Sequence, residues 1–176
     1  DYNNINPGLL LREMLKYRGI EDPESWLQVS KENEYDAKLL KNIDKASDVI
    51  EQAVSNNKRI YIQADADVDG FTSASIMYLF LEEISNCEII VGIHPGKEHG
   101  LDLQEALNSN PGLVIVPDAS GKSEDYDTLK NKGIPSLIID HHDYPETEFN
   151  TTVVNCQFDS YPNSSLSGAG VSLKVC

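Results

Sequence analysis

Two periodicities divide the chain. Over the first 58 residues apolar positions recur at helical spacing, with no strand-like alternation. Leu9, Leu10, Met14, Leu15 and Tyr17 form one such run, which stops at Gly19, a residue suited to a helix C-terminus. A short second helix is expected after Asp22-Pro23, with Pro23 in its first turn and Trp26 and Leu27 as its apolar side. A third, longer segment from about residue 35 to residue 55 places Leu39, Leu40, Ile43, Ala46, Val49, Ile50 and Ala53 on one stripe. That stripe predicts an amphipathic helix packed on a core.

After Lys58-Arg59 the pattern changes to short apolar runs, at residues 60–63, 88–93, 113–117, 136–139 and 152–155. Each run ends at a polar or acidic residue and is followed by a helix-like stretch. Strands that alternate with helices and read as apolar on both faces predict an α/β domain, a parallel five-stranded sheet flanked by helices. The expected organisation is therefore a helical N-terminal extension, residues 1–57, packing on the core of a domain at residues 58–176. In open parallel sheets ligands gather outside the carboxyl ends of the strands, which makes the residues there the ones to inspect.

Composition narrows the classes. Hydrophobic residues make up 40% of the 176-residue chain, but no apolar run approaches the length of a membrane span and no charged-then-apolar leader is present. A cytoplasmic protein without a membrane partner is expected. Cys87, Cys156 and Cys176 are odd in number and lack CxxC spacing, so they suggest neither a disulfide framework nor a thiolate zinc site. Twenty-nine acids against 14 bases give a net charge of -15, which repels a polyanion. Any nucleic-acid groove is then narrow and local, or supplied by another domain or a partner subunit.

Part of that acidity sits where ligands are expected. The first strand runs into Asp65-Ala66-Asp67-Val68-Asp69-Gly70, three carboxylates at alternate positions before a helix start. A calcium EF-hand loop shares the opening but needs a glutamate at its twelfth position and a helix in front. Here that position is Ile76, and a strand precedes. The third run ends in Asp118 and the fourth in Asp140-His141-His142-Asp143. Carboxylates joined by imidazole suit Mn²⁺, Mg²⁺ or Fe²⁺ better than calcium or structural zinc.

The order D-x-D-x-D-G, a lone aspartate after a later strand, then D-H-H resembles motifs I, II and III of the DHH phosphoesterase superfamily. Flanking segments are similar to RecJ-type single-strand DNA exonucleases: His94-Pro95 with Lys97 and His99-Gly100-Leu101, the glycine-rich Leu166-Ser167-Gly168-Ala169-Gly170-Val171, and the upstream Arg18-Gly19-Ile20. The resemblance implies Asp65, Asp67, Asp69, Asp118, Asp140, His141 and His142 as catalytic residues. Asp67 and Asp69 would bind two different metal ions, Asp118 would bridge them and His141 would bind the second. Asp65 would be a ligand or a supporting acid, while Asp140 and His142 would orient ligands or face the scissile phosphate. Lys97, His99, Ser167, Gly168 and Gly170 would contact substrate. The implied cofactor is Mn²⁺ or Mg²⁺, and the implied reaction is two-metal phosphodiester hydrolysis.

What the resemblance implies in function is a RecJ-like exonuclease, digesting single-stranded DNA from 5′ to 3′ in a bacterial or phage setting. The family's motif IV and its C-terminal domain have no counterpart within these residues, and Gln63, Ala66 and Ala119 depart from the usual motif residues. Two alternatives stand beside it: a DHH phosphoesterase for small nucleotides (an oligonucleotide, a cyclic dinucleotide or pyrophosphate), and a non-catalytic DHH scaffold in replication or repair.

Overall fold

The computed structural model describes every residue except 1–5, 29–30, 32–33, 95–98, 144–148 and 159–160. It divides into two compact units, Asp1–Tyr35 and Asp36–Cys176. In the first unit, Asn6 caps helix α1 (Pro7–Tyr17) by accepting hydrogen bonds from the amides of Gly8 and Leu9. Asp22 caps the short helix α2 (Pro23–Leu27) in the same manner, with Pro23 opening it. An Arg12–Glu24 ion pair links the two helices.

The second unit starts upstream of the boundary expected at residues 57 and 58. Helix α3 (Ile43–Ser55) buries Ala46, Ile50 and Ala53 in the same core as the sheet, which makes it part of that unit. The long helix expected from residue 35 is also shorter. A 3-10 turn occupies Ala37–Leu39, and Asn42 then adopts left-handed backbone at φ 66°. Asn42 tolerates that conformation and donates from Nδ2 to the Val153 carbonyl at 2.8 Å. The chain turns at Asn42, and only the segment after it winds as a helix.

The sheet follows the apolar runs. Strands β1 (Ile60–Ala64), β2 (Ile89–Ile93), β3 (Leu113–Pro117), β4 (Ser136–Asp140) and β5 (Thr152–Asn155) pair in parallel in the order β2-β1-β3-β4-β5. Every residue of β1, β3 and β4 is buried, whereas edge strand β2 is largely open. Alternation sends Ile60, Ile62, Leu113, Ile115, Leu137 and Ile139 to one face. There they meet α3, α4 (Val68–Ile84) and α7 (Gly168–Val175). Tyr61, Val114, Val116 and Ile138 face the other side, against α5 (Leu103–Asn108) and α6 (Ser123–Asn131). Both faces are therefore covered, as an all-parallel sheet requires.

The strand order reverses between β1 and β3. The chain leaves β1 for β2 on one side and returns to β3 on the other, so the connections diverge and open a crevice at the carboxyl ends. β1 runs straight into Asp65 and β3 into Asp118.

Candidate metal centre

Local structure accounts for the placement of each acidic residue. Asp65 is buried directly after β1. Asp67 is the N-cap of α4, with Oδ1 accepting from the Gly70 amide at 2.8 Å, and Asp69 lies in the first turn of that helix. Gly70 has to be glycine here, because a Cβ would lie 2.6 Å from both the Cβ and the carbonyl oxygen of Asp65. Asp118 takes left-handed backbone at φ 64°, a conformation aspartate accepts at low cost. Its amide still donates to the Ile139 carbonyl at 2.7 Å, so the turn begins without losing contact with β4.

The histidines are held by backbone and side chain alike. Oδ1 of buried Asp140 accepts from the amides of His141 at 2.7 Å and His142 at 3.2 Å. The same oxygen meets the His142 Nδ1 at 2.8 Å, and this hydrogen bond raises the imidazole pKa against the opposing effect of burial. Asn155 and Gln157, at and just after the end of β5, donate to the carbonyls of His142 and His141, both at 3.0 Å. The imidazole of His141 is thereby set with Nε2 3.1 Å from Asp118 Oδ1 and 3.6 Å from Asp69 Oδ2.

Asp118 is 1% exposed, and its buried Oδ1 receives no well-directed hydrogen bond among the described residues, with His141 Nε2 standing 3.1 Å away. Burial, followed by the neighbouring carboxylates of Asp69 and Asp67, pushes its pKa up to about 7. A carboxylate kept dry beside other carboxylates, with only an imidazole nitrogen against its buried oxygen, is an unfavourable arrangement for the bare protein. A divalent cation relieves it. Two sets of side chains offer ligand atoms within 4.8 Å of one another: Asp65, Asp67 and Asp118, and Asp118, His141 and His142. Asp118 belongs to both. The donors fit Mn²⁺ or Mg²⁺, since carboxylates predominate and no thiolate takes part.

Asp65, Asp67, Asp118, Asp140 and His142 line a cleft of about 330 Å³, together with His99. His99 meets Asp65 through Nδ1, at 2.7 Å and 3.0 Å from the two carboxylate oxygens. That hydrogen bond raises its pKa. The glycine-rich turn, expected to contact substrate, makes the following contacts within the protein. Ser167 caps α7 by accepting from the Gly170 amide at 3.2 Å. The amides of Gly168 and Ala169 each donate to Asp69 at 2.8 Å, seating its carboxylate on the start of α7. A Cβ on Gly168 would overlap the Asp118 carboxylate. Lys97 lies outside the described residues. Gln63 is engaged internally, its Oε1 accepting from Tyr61 and from the Asp102 amide.

Sequence reasoning missed the segment after Asp118. Ala119, Ser120 and Gly121 line the cleft, and Gly121 backs directly onto Gly100, both with left-handed φ. Tyr126 secures that loop by donating to the Ser120 carbonyl. Gly121, three residues after a strand-end aspartate, was the available signal.

The fold and the site together define a doubly wound α/β protein with a carboxylate–imidazole centre at its topological switch point. The chain belongs to the DHH family: the profile of the DHH family, N-terminal domain, matches residues 59–176. It is 37% identical over 179 residues to YorK of Bacillus subtilis (strain 168), named as a prophage-derived single-strand DNA-specific exonuclease, covering 100% of this chain and 30% of that protein. It is 29% identical over 175 residues to the single-stranded-DNA-specific exonuclease RecJ of Dickeya dadantii, covering 93% of this chain and 30% of the relative. The chain thus spans about 30% of the length of these curated relatives.

Among solved structures it resembles an exonuclease RecJ bound to manganese, with a TM-score of 0.69 and 24% identity, over 77% of this chain and 36% of that one. It likewise resembles the RecJ of Thermus thermophilus in complex with Mn²⁺, with a TM-score of 0.67 and 22% identity, over 92% of this chain and 23% of that one. These likenesses establish the fold. No helix among the described residues is long and apolar enough to cross a membrane.

Proposed function

We propose that the chain is the DHH portion of a single-strand DNA exonuclease that works from the 5′ end and hydrolyses phosphodiester bonds at a two-metal centre. The observation that carries this reading is Asp118, a buried carboxylate among other acids that is common to two ligand sets. The names of the relatives support the substrate class. In this reading Asp67, Asp69, Asp118 and His141 hold the metals, with Asp65 close enough to join the first set. Asp140 and His142 orient the histidine loop or face the phosphate. When bound, paired divalent ions lower the pKa of an attacking water and stabilise charge on the reacting phosphate. The chain's own part is to hold Asp118 dry where the two ligand sets meet, to aim His141 through Asp140, and to seat Asp69 on α7. We place the protein in the cytoplasm of a bacterium or of a phage-infected cell.

The test is Mn²⁺-stimulated hydrolysis of a 5′-labelled single strand, with Mn²⁺ binding followed by calorimetry. Asp69→Ala and His141→Ala are each expected to abolish hydrolysis, and full activity in either sinks the reading. A chain that binds no Mn²⁺ at micromolar concentration is a scaffold. A second reading, a small-nucleotide phosphoesterase, is favoured by one observation: no described residue lining the cleft is Lys or Arg. Faster turnover of a dinucleotide than of a long strand would select it.

A further inference from the structure

Outside the cleft, one edge of the sheet is left open. β2 pairs with β1 on one side and, among the described residues, with no strand on the other. The Ile60 amide donates to the Glu88 carbonyl at 2.9 Å, and the His94 amide to the Ala64 carbonyl at 3.5 Å. In a parallel pair the backbone groups of alternate residues turn toward the partner strand, so Glu88, Ile90, Gly92 and His94 serve β1. The N–H and C=O groups of Ile89, Val91 and Ile93 therefore point out of the open edge. Their side chains share a face with Ile60, Ile62 and Ala64, beside which they stand in register. On that face α4 and β2 frame a groove of about 290 Å³, lined in part by Ala64, Phe71, Ala74, Leu79, Val91 and Ile93. Leu79 is 61% exposed, Ile93 52% and Phe71 45%. The other face of β2 is closed, since Ile90 packs into the core on the side of α5 and α6 and a Cβ on Gly92 would overlap the Tyr61 hydroxyl.

The residues of β2 whose backbone is unpaired are thus the same ones that present apolar side chains to the groove, the combination an added strand uses. β2 carries no Lys, Arg or Pro that would blunt its edge. Charge then selects the occupant. Residues 60–94 contain six acids, Asp65, Asp67, Asp69, Glu82, Glu83 and Glu88, and no Lys or Arg. The three aspartates belong to the metal centre and Glu88 pairs with Arg59. Glu82 stands on the helix that walls the groove, accepting at 3.3 Å from the hydroxyl of Tyr78, itself a lining residue. A second copy of a chain with a net charge of -15 would bring the same acids against the same edge. We propose that the groove between α4 and β2 receives an extended segment of a basic partner protein. The segment pairs with β2 as an added strand, lays alternate apolar side chains over Val91 and Ile93, and carries Lys or Arg at its ends. This surface is separate from the metal cleft and does not rest on what the cleft hydrolyses.

The test titrates the 176-residue chain with a synthetic peptide in which valines alternate with threonines between paired lysines at each end. Saturable binding is expected. In hydrogen exchange followed by NMR, the amides of Val91 and Ile93 are expected to exchange quickly in the free chain and about tenfold or more slowly with peptide bound, while those of Ile90 and Gly92 are slow in both. N-methylating the peptide backbone removes its strand donors, and replacing its lysines by glutamates removes the charge match. Each change is expected to weaken binding by about tenfold or more. Leu79→Lys on α4 and Val91→Lys on β2 are expected to cause a similar loss, since a lysine guards an edge and repels the peptide. The peptide variants leave the protein untouched, so a misfolded Val91→Lys does not spoil the test. The proposal is overturned if the peptide does not bind, or if its N-methylated or glutamate-flanked form binds as tightly. It is equally overturned if binding leaves the Val91 and Ile93 amides exchanging as before. Self-association of the free chain in sedimentation, abolished by Leu79→Lys, would assign the groove to a second copy and likewise overturn it.

Discussion

Asp118 concentrates the chemistry of the site in one side chain, and its physical state makes a prediction with a definite sign. Its pKa is raised to about 7 by burial and by Asp69 and Asp67, while the unfolded chain releases that proton near pH 4. Between those values the metal-free folded state binds one more proton than the unfolded state. The Asp118 contribution to stability is therefore favourable at low pH and declines as pH rises from about 4 to about 7. Asp118→Asn keeps the shape, tolerates the left-handed backbone and removes the charge. In chelator-treated protein it is expected to raise the melting temperature at pH 8, to raise it less at pH 5, and to leave it nearly unchanged at pH 4 and below. A lower melting temperature at pH 8 would refute this account of the site. Metal binding runs the opposite way, since the ion displaces the proton. Mn²⁺ affinity in calorimetry should fall about tenfold per unit below pH 7, and a flat profile between pH 5 and 7 would show that Asp118 is not a ligand.

At the scale of elements, the start of α7 does two jobs that mutations can separate. Ser167→Ala removes only the cap, and a loss of about 1 kcal/mol in denaturant unfolding is expected, with Mn²⁺ affinity unchanged. Gly168→Ala drives a methyl group into the Asp118 carboxylate. It is expected to cost about 1–3 kcal/mol and to weaken Mn²⁺ binding as well; intact affinity in that variant would mean α7 can shift without disturbing Asp118. The same element shows what the chain's pattern discloses and what it hides. The five strands are legible because buried parallel strands read as unbroken apolar runs, and Asp65, Asp118 and Asp140 are legible because each directly follows such a run or closes it. Asn42 breaks a stripe that continues in sequence, because its side chain bonds to Val153, 111 residues away. The seating of Asp69 on α7 spans 99 residues and uses backbone amides, which leave no mark in composition. His99 and Asp65 stand 34 residues apart, so their hydrogen bond is not legible in the sequence.

At the scale of the whole molecule, charge limits what the chain can hold unaided. A net charge of -15 surrounds a cleft whose described lining carries four carboxylates and no Lys or Arg. Two divalent ions contribute about four positive charges, all at the reacting phosphate, and leave the exterior repulsive to a polyanion. A groove that tracks a strand needs basic residues spaced along it, and each phosphate so neutralised steepens the salt dependence of binding. Only the phosphate within reach of the ions and of the imidazoles should therefore add to affinity. Phosphorothioate single strands of two and of twenty nucleotides, titrated into the Mg²⁺-loaded chain, are expected to bind within about threefold of one another. Their affinities should share a shallow dependence on salt, because the phosphates beyond the cleft release no counterions on this protein. A tenfold gain with length, together with a steep salt slope, would reveal a strand-tracking surface on the chain itself. Length-independent binding would mean that grip on a long strand is supplied from outside these residues, leaving to the DHH unit the recognition and cleavage of one terminal phosphate.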